Sequence, residues 1–80
     1  MKNFSFEIVI EREADPAAGY SAGCPTLPGC YSNGRTLEEA KQNIREAIAL
    51  HAESLRKHGE EIPQNNRVVH VEELTLALPA

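Results

Sequence analysis

The stretch Cys24-Pro25-Thr26-Leu27-Pro28-Gly29-Cys30, followed by Gly34-Arg35-Thr36-Leu37-Glu38-Glu39-Ala40 and Asn43-Ile44-Arg45-Glu46-Ala47-Ile48, sets the fold of this chain. Pro25 and Pro28 fix their own φ angles and hold Cys24 and Leu27 toward extended geometry. Gly29 and Gly34 can take a positive φ that other residues resist. Thr36 is a helix cap, and Glu39, three residues on, completes a capping box. The pattern is a rigid corner that launches a helix at a defined angle. It is scaffold rather than catalytic chemistry, and it points to a small module whose surface is its function.

Downstream of the corner, Leu37, Ala40, Ile44, Ala47, Ile48 and Leu55 recur at three- and four-residue spacing, with His51 at the edge of the stripe. Glu39, Gln42, Glu46 and Glu53 occupy the opposite side. This predicts an amphipathic helix of about 22 residues, about 33 Å long. Acids at its start and Arg56, Lys57 and His58 at its end suit the helix dipole. Gly59 reads as the C-terminal cap, and Pro63 prevents continuation.

Upstream, Phe4, Phe6, Ile8 and Ile10 alternate with Ser5, Glu7, Val9 and Glu11, the period of a half-buried strand. The polar turn from Glu13 to Gly19 leads into a second, antiparallel strand over Tyr20–Cys24. Tyr31-Ser32-Asn33 reads as a short third strand ending at Gly34. Beyond the helix, Val69 and Val71 share one parity, while Leu74, Leu76 and Leu78 share the other. The phase breaks at Glu72-Glu73, which implies either a bulge or a second subunit covering both faces. The expected fold is α+β: a two-layer sandwich with an antiparallel sheet of three to four strands (β-β-β-α-β), covered on one face by one long helix. One domain spans residues 1–80.

Composition narrows the function. Hydrophobic residues make up 41% of the chain, enough for a folded globule. The net charge of −4 argues against nonspecific nucleic-acid binding and suits a basic protein partner. The N-terminus lacks a long apolar run, so a cytoplasmic location is expected. There, Cys24 and Cys30 are expected to be free thiols. A chain of 80 residues has a modest core, and oligomerisation is a common support. A homo-oligomer, dimer or tetramer, is expected.

Candidate chemistry gives way to simpler readings. Cys24 and Cys30 are six apart around a turn, and His51, His58 and His70 lie on later elements, without the ligand spacing of structural zinc. Asp15 is the sole aspartate, and with Glu11 it is the nearest approach to a two-metal nuclease cluster. The remaining acids read as solvated surface charge. Ser21, Ser32 and Ser54 lack a nucleophile elbow, and no lysine follows the glycines as in a phosphate loop. No catalytic residue, cofactor or metal is expected. Tyr20 and Tyr31 flank the corner and suit a protein interface, where tyrosine is enriched. Tyr20, Leu27, Pro28, Tyr31 and Arg35 form the candidate partner-binding surface.

Leu27-Pro28-Gly29-Cys30, Gly34, Thr36, Glu38-Glu39-Ala40, Asn43-Ile44 and Glu46-Ala47-Ile48 also carry a family resemblance. It extends back to Ile10-Glu11 and Gly19-Tyr20, and forward to Ile62-Pro63. The ordered series resembles the N-terminal domain of HicB antitoxins. That resemblance implies the same element order, a reduced ribonuclease-H-like fold. It also implies a noncatalytic role: binding a HicA-type mRNA-cleaving toxin and covering its catalytic histidine. Full-length HicB antitoxins usually continue into a DNA-binding domain. This sequence stops at Ala80, so DNA binding by this chain alone is not expected. The rival readings are an orphan oligomeric binding or regulatory domain and a minimal metal-dependent nuclease.

Overall fold

A computed structural model describes residues 2–64 and 70–79. Three strands, β1 (Val9–Arg12), β2 (Tyr20–Gly23) and β3 (Tyr31–Gly34), precede one helix, α1 (Leu37–Lys57). The strands form an antiparallel sheet in the order β1-β2-β3. Val9 lies opposite Gly23 and Gly23 opposite Tyr31; in the next row Ile10 faces Ala22 and Ala22 faces Ser32. The turn between β1 and β2 contains a 3-10 turn at Pro16–Ala18, capped by Asp15, whose Oδ1 accepts from the Ala17 N–H at 3.0 Å.

Each boundary has a local cause. Thr36 is extended (φ −123°, ψ 163°), and its hydroxyl accepts from the Glu39 N–H at 3.0 Å. Glu39 reaches back to the Arg35 N–H at 3.2 Å, one residue earlier than the standard capping box places this bond. At the other end His58 is the cap residue, and Gly59 follows with φ 70°. Gly59 N–H donates to the Arg56 carbonyl and Glu60 N–H to the Leu55 carbonyl, the paired bonds of a Schellman motif. The helix therefore ends where the glycine permits a left-handed residue, one position earlier than a cap on Gly59 itself would imply.

The core is a single apolar cluster of Ala22, Cys24, Leu27, Cys30, Ala40, Ile44 and Ile48, with Phe6, Ile8, Ile10, Tyr20, Ala47 and Leu55 packed against it. It lies between one sheet face and the helix. The expected stripe holds except at its first member: Leu37 is half exposed. Gly34 does not use positive φ, which among the described residues is found at Gly19, Gly29 and Gly59. Its need for glycine is steric instead. A Cβ at Gly34 would lie 2.3 Å from the Ala40 backbone nitrogen, where the helix crosses the sheet.

Two expectations about strands need correction. The first strand is shorter than its alternation implies. Residues 4–8 keep their alternation but lie outside the sheet, because β2 ends at Gly23 opposite Val9. Among the described residues the sheet has three strands, the lower end of the three to four expected, and the final strand of the β-β-β-α-β order is not formed. Residues 70–79 take no regular secondary structure, and Val71, Leu74, Leu76 and Leu78 are 73–89% exposed. Val69, which the alternation places at the start of that strand, lies outside the described residues.

Candidate functional site

The corner between β2 and β3 is built from two successive turns. Leu27 N–H donates to the Cys24 carbonyl at 3.0 Å, and Cys30 N–H donates to the Leu27 carbonyl at 3.0 Å. The second turn has Pro28 at its first central position and Gly29, with φ 82°, at its second, the requirement of a type II turn. Cys24 N–H donates to the Cys30 carbonyl at 3.1 Å and closes the loop at its neck. Leu27, at the junction of the turns, is 1% exposed and plugs the core. The corner is thus fixed by proline, by glycine and by a buried leucine, and little ordering remains to be done when a partner binds.

Cys24 and Cys30 are free and buried in the neck of this loop. Burial pushes the Cys30 thiol above its usual value of 9.0, and the neighbouring Cys24 sulfur adds to the effect. Cys30 is therefore held as a neutral thiol and packs as a small apolar residue.

The candidate surface is divided by the structure. Tyr31 is 76% exposed on the sheet face away from the helix. Its ring lies across Gly23, where a Cβ would come within 3.2 Å of two ring carbons. Tyr20 lies on the opposite face, half-buried against the core. The two tyrosines therefore lie on opposite faces of the sheet. Leu27 is interior, so it supports the corner without reaching a partner. Pro28 and Arg35 are exposed. Val9, 44% exposed beside Gly23 and Tyr31, belongs with the open face. Its parity with Glu11 was the sequence signal for that placement.

Asp15 and Glu39 are engaged in capping, so neither is presented as part of an acidic cluster. Among the described residues, no three His, Cys, Asp or Glu side chains gather as a metal site. Asn43, half-buried on α1, donates to the Asn33 carbonyl at 2.8 Å and ties the helix to β3. No helix among the described residues is long and apolar enough to cross a membrane.

The sequence model of a family described as HicB_like antitoxin of bacterial toxin-antitoxin system matches residues 6–75. A UPF0150 protein of Synechocystis sp. is 44% identical over 66 residues, covering 82% of this chain and 81% of its own. A UPF0150 protein of Thermoplasma acidophilum is 41% identical over 71 residues, covering 89% and 94%. A 14.9 kDa protein of Haemophilus phage HP1 is 41% identical over 63 residues, which is 79% of this chain but 45% of the phage protein. No solved structure gives a significant match.

Proposed function

The chain belongs to the HicB-like antitoxins, and from that premise we propose that it is a noncatalytic, cytoplasmic antitoxin, one domain over residues 1–80, that binds and occludes a HicA-type mRNA-cleaving toxin. The observation that carries this reading, beside the family, is the rigid open face of the sheet. There Tyr31 and Val9 stand exposed on either side of Gly23, with Glu11 on the same side of β1. An exposed aromatic on a preformed strand is a good anchor, because few rotors are frozen on contact. Pro28 and Arg35 extend the surface toward the corner, while Tyr20 and Leu27 hold it in shape. The acidic balance of the chain favours encounter with a basic RNA-binding surface. The protein acts as a homo-oligomer, a dimer or tetramer, which gives a small core additional cover.

The test is stoichiometric inhibition. A purified HicA-type toxin is titrated with the chain while cleavage of a labelled mRNA is followed. Cleavage should stop near equimolar chain, and Tyr31→Ala should weaken the complex by about 30-fold, the loss expected of an aromatic hot spot. The same RNA incubated with the chain alone, with magnesium or manganese, should stay intact. Cleavage that co-purifies with the chain, or no inhibition at micromolar concentrations, defeats the reading.

A further inference from the structure

The sheet and the C-terminal segment each lack what the other carries. Among the described residues, strand β1 is at the edge of the sheet and pairs only with β2. Beside its N-terminal continuation lies a groove of about 310 Å³, lined by Phe4, Phe6 and Ile8 on one side and by Ile44 and Ile48 of α1 on the other. A second hollow of about 550 Å³ continues it along the helix between Phe4, Ala49, Ala52 and Ile62. This is the place a fourth strand would occupy in a sheet covered by a helix.

Residues 70–79 have the composition of that strand. Leu74, Leu76 and Leu78 alternate with Glu73, Thr75 and Ala77, so one side of an extended segment is leucine and the other is polar or small. All three leucines are more than 70% exposed. Ten residues of arm match the nine from Phe4 to Arg12, of which Val9–Arg12 form the paired edge strand and Phe4–Ile8 its unpaired continuation. The charges are also complementary: Glu72 shares the leucine parity, and Lys41 and Arg45 line the groove.

The arm is not folded back into the molecule. The radius of gyration is 15.9 Å and the extents are 58 × 31 × 21 Å. A compact chain of this length has a radius near 12 Å. A projecting apolar strand and an empty strand position on one chain are self-complementary under a twofold axis, the closed arrangement that identical chains favour.

We propose that two copies exchange residues 70–79, each arm pairing with the β1 edge of the other copy and seating its leucines in that copy's groove. The proposal deepens the homo-oligomer reading above and rests on it. Each sheet then gains its fourth strand from the partner, and the exposed edge, an aggregation hazard in a lone chain, disappears. The phase change at Glu72-Glu73 falls where the arm would enter the partner's sheet.

Two measurements on the full chain test this. Light scattering at about 10 μM should give at least twice the chain mass of 8.8 kDa. Leu74→Asp with Leu76→Asp should bring it to 8.8 kDa while helical circular dichroism is retained, because neither residue touches the core. Leu74→Ser with Leu76→Ser, a milder pair, should weaken the oligomer in the same direction. Hydrogen exchange of the unsubstituted chain should show residues 70–79 and 4–8 protected together, with protection at both falling at least about 100-fold in the Asp variant. A monomeric unsubstituted chain overturns both the oligomer and the exchange, including when the arm is protected within one chain. An oligomer whose mass survives the leucine substitutions, or in which residues 70–79 exchange like a free peptide, overturns the exchange and leaves the oligomer standing. Leucine substitutions that abolish toxin binding and leave the mass unchanged also overturn it, and assign the arm to the toxin.

Discussion

Gly34 shows how one residue can be required for a reason its neighbours in sequence do not reveal. In the sequence it reads as a turn glycine chosen for backbone freedom. In the folded chain its φ is ordinary, and the Ala40 backbone occupies the space of a side chain. Gly19 is constrained on the same line: its φ is 74°, and a Cβ there would meet the Gly34 carbonyl oxygen at 2.3 Å. Gly34→Ala should therefore destabilise the chain by about 3 kcal/mol, through overpacking between backbones that have no flexible end to move aside. Urea melts followed by circular dichroism measure it. Gly29→Ala provides the contrast, since nothing lies within 4 Å of its Cβ and only the left-handed φ of 82° resists, at about 1–2 kcal/mol. A Gly34→Ala chain as stable as the original would mean that sheet and helix are not in close contact at this point. Leu27 and Tyr20 belong to the same scale. Their side-chain types suggest an interface, but Leu27 is buried in the core and Tyr20 is half-buried against it.

The helix is the element whose limits the sequence states most fully. Its start is written in Thr36 and Glu39, its end in Gly59, and its inward face in Ala40, Ile44, Ala47 and Ile48. Thr36→Ala removes the acceptor of the Glu39 N–H and should cost about 1 kcal/mol. Thr36→Ser, which keeps the hydroxyl, should recover most of it. A melt unchanged by the alanine would show that the cap does not govern the helix start. The surface ion pair between Lys57 and Glu53, 3.7 Å apart and exposed on both sides, should matter little by comparison. Strands are less self-sufficient. Residues 4–8 have the alternation of β1, yet pairing begins only at Val9, where β2 supplies a partner. The same limit applies to residues 70–79, whose leucine alternation finds no strand partner among the described residues.

At the scale of the molecule, the chain combines a small apolar core, an excess of acidic charge and an elongated outline. Burying three exposed leucines at about 2 kcal/mol each would contribute about 6 kcal/mol, a large fraction of the stability of a domain this small. The charge has a separate consequence. If the open face meets a basic toxin, association is steered over distances of about a Debye length. The on-rate measured by stopped flow should fall about tenfold or more between 50 and 500 mM salt, while the off-rate changes much less. An on-rate indifferent to salt would assign recognition to apolar contact around Tyr31 alone.

The sequence by itself determined the order of the three strands and the helix, the corner, the helix and its capping, and the family. These depend on φ preferences, local hydrogen bonds and hydrophobic period, all of which act within a few residues. Tertiary structure decided which tyrosine is presented, why Gly34 must be glycine, where β1 begins to pair, and that residues 70–79 do not complete the sheet of their own chain. Each of these depends on what lies across a gap from a residue far away in sequence. A strand's alternation specifies that one side is to be covered; it carries no information about whether the cover comes from the same chain or from another.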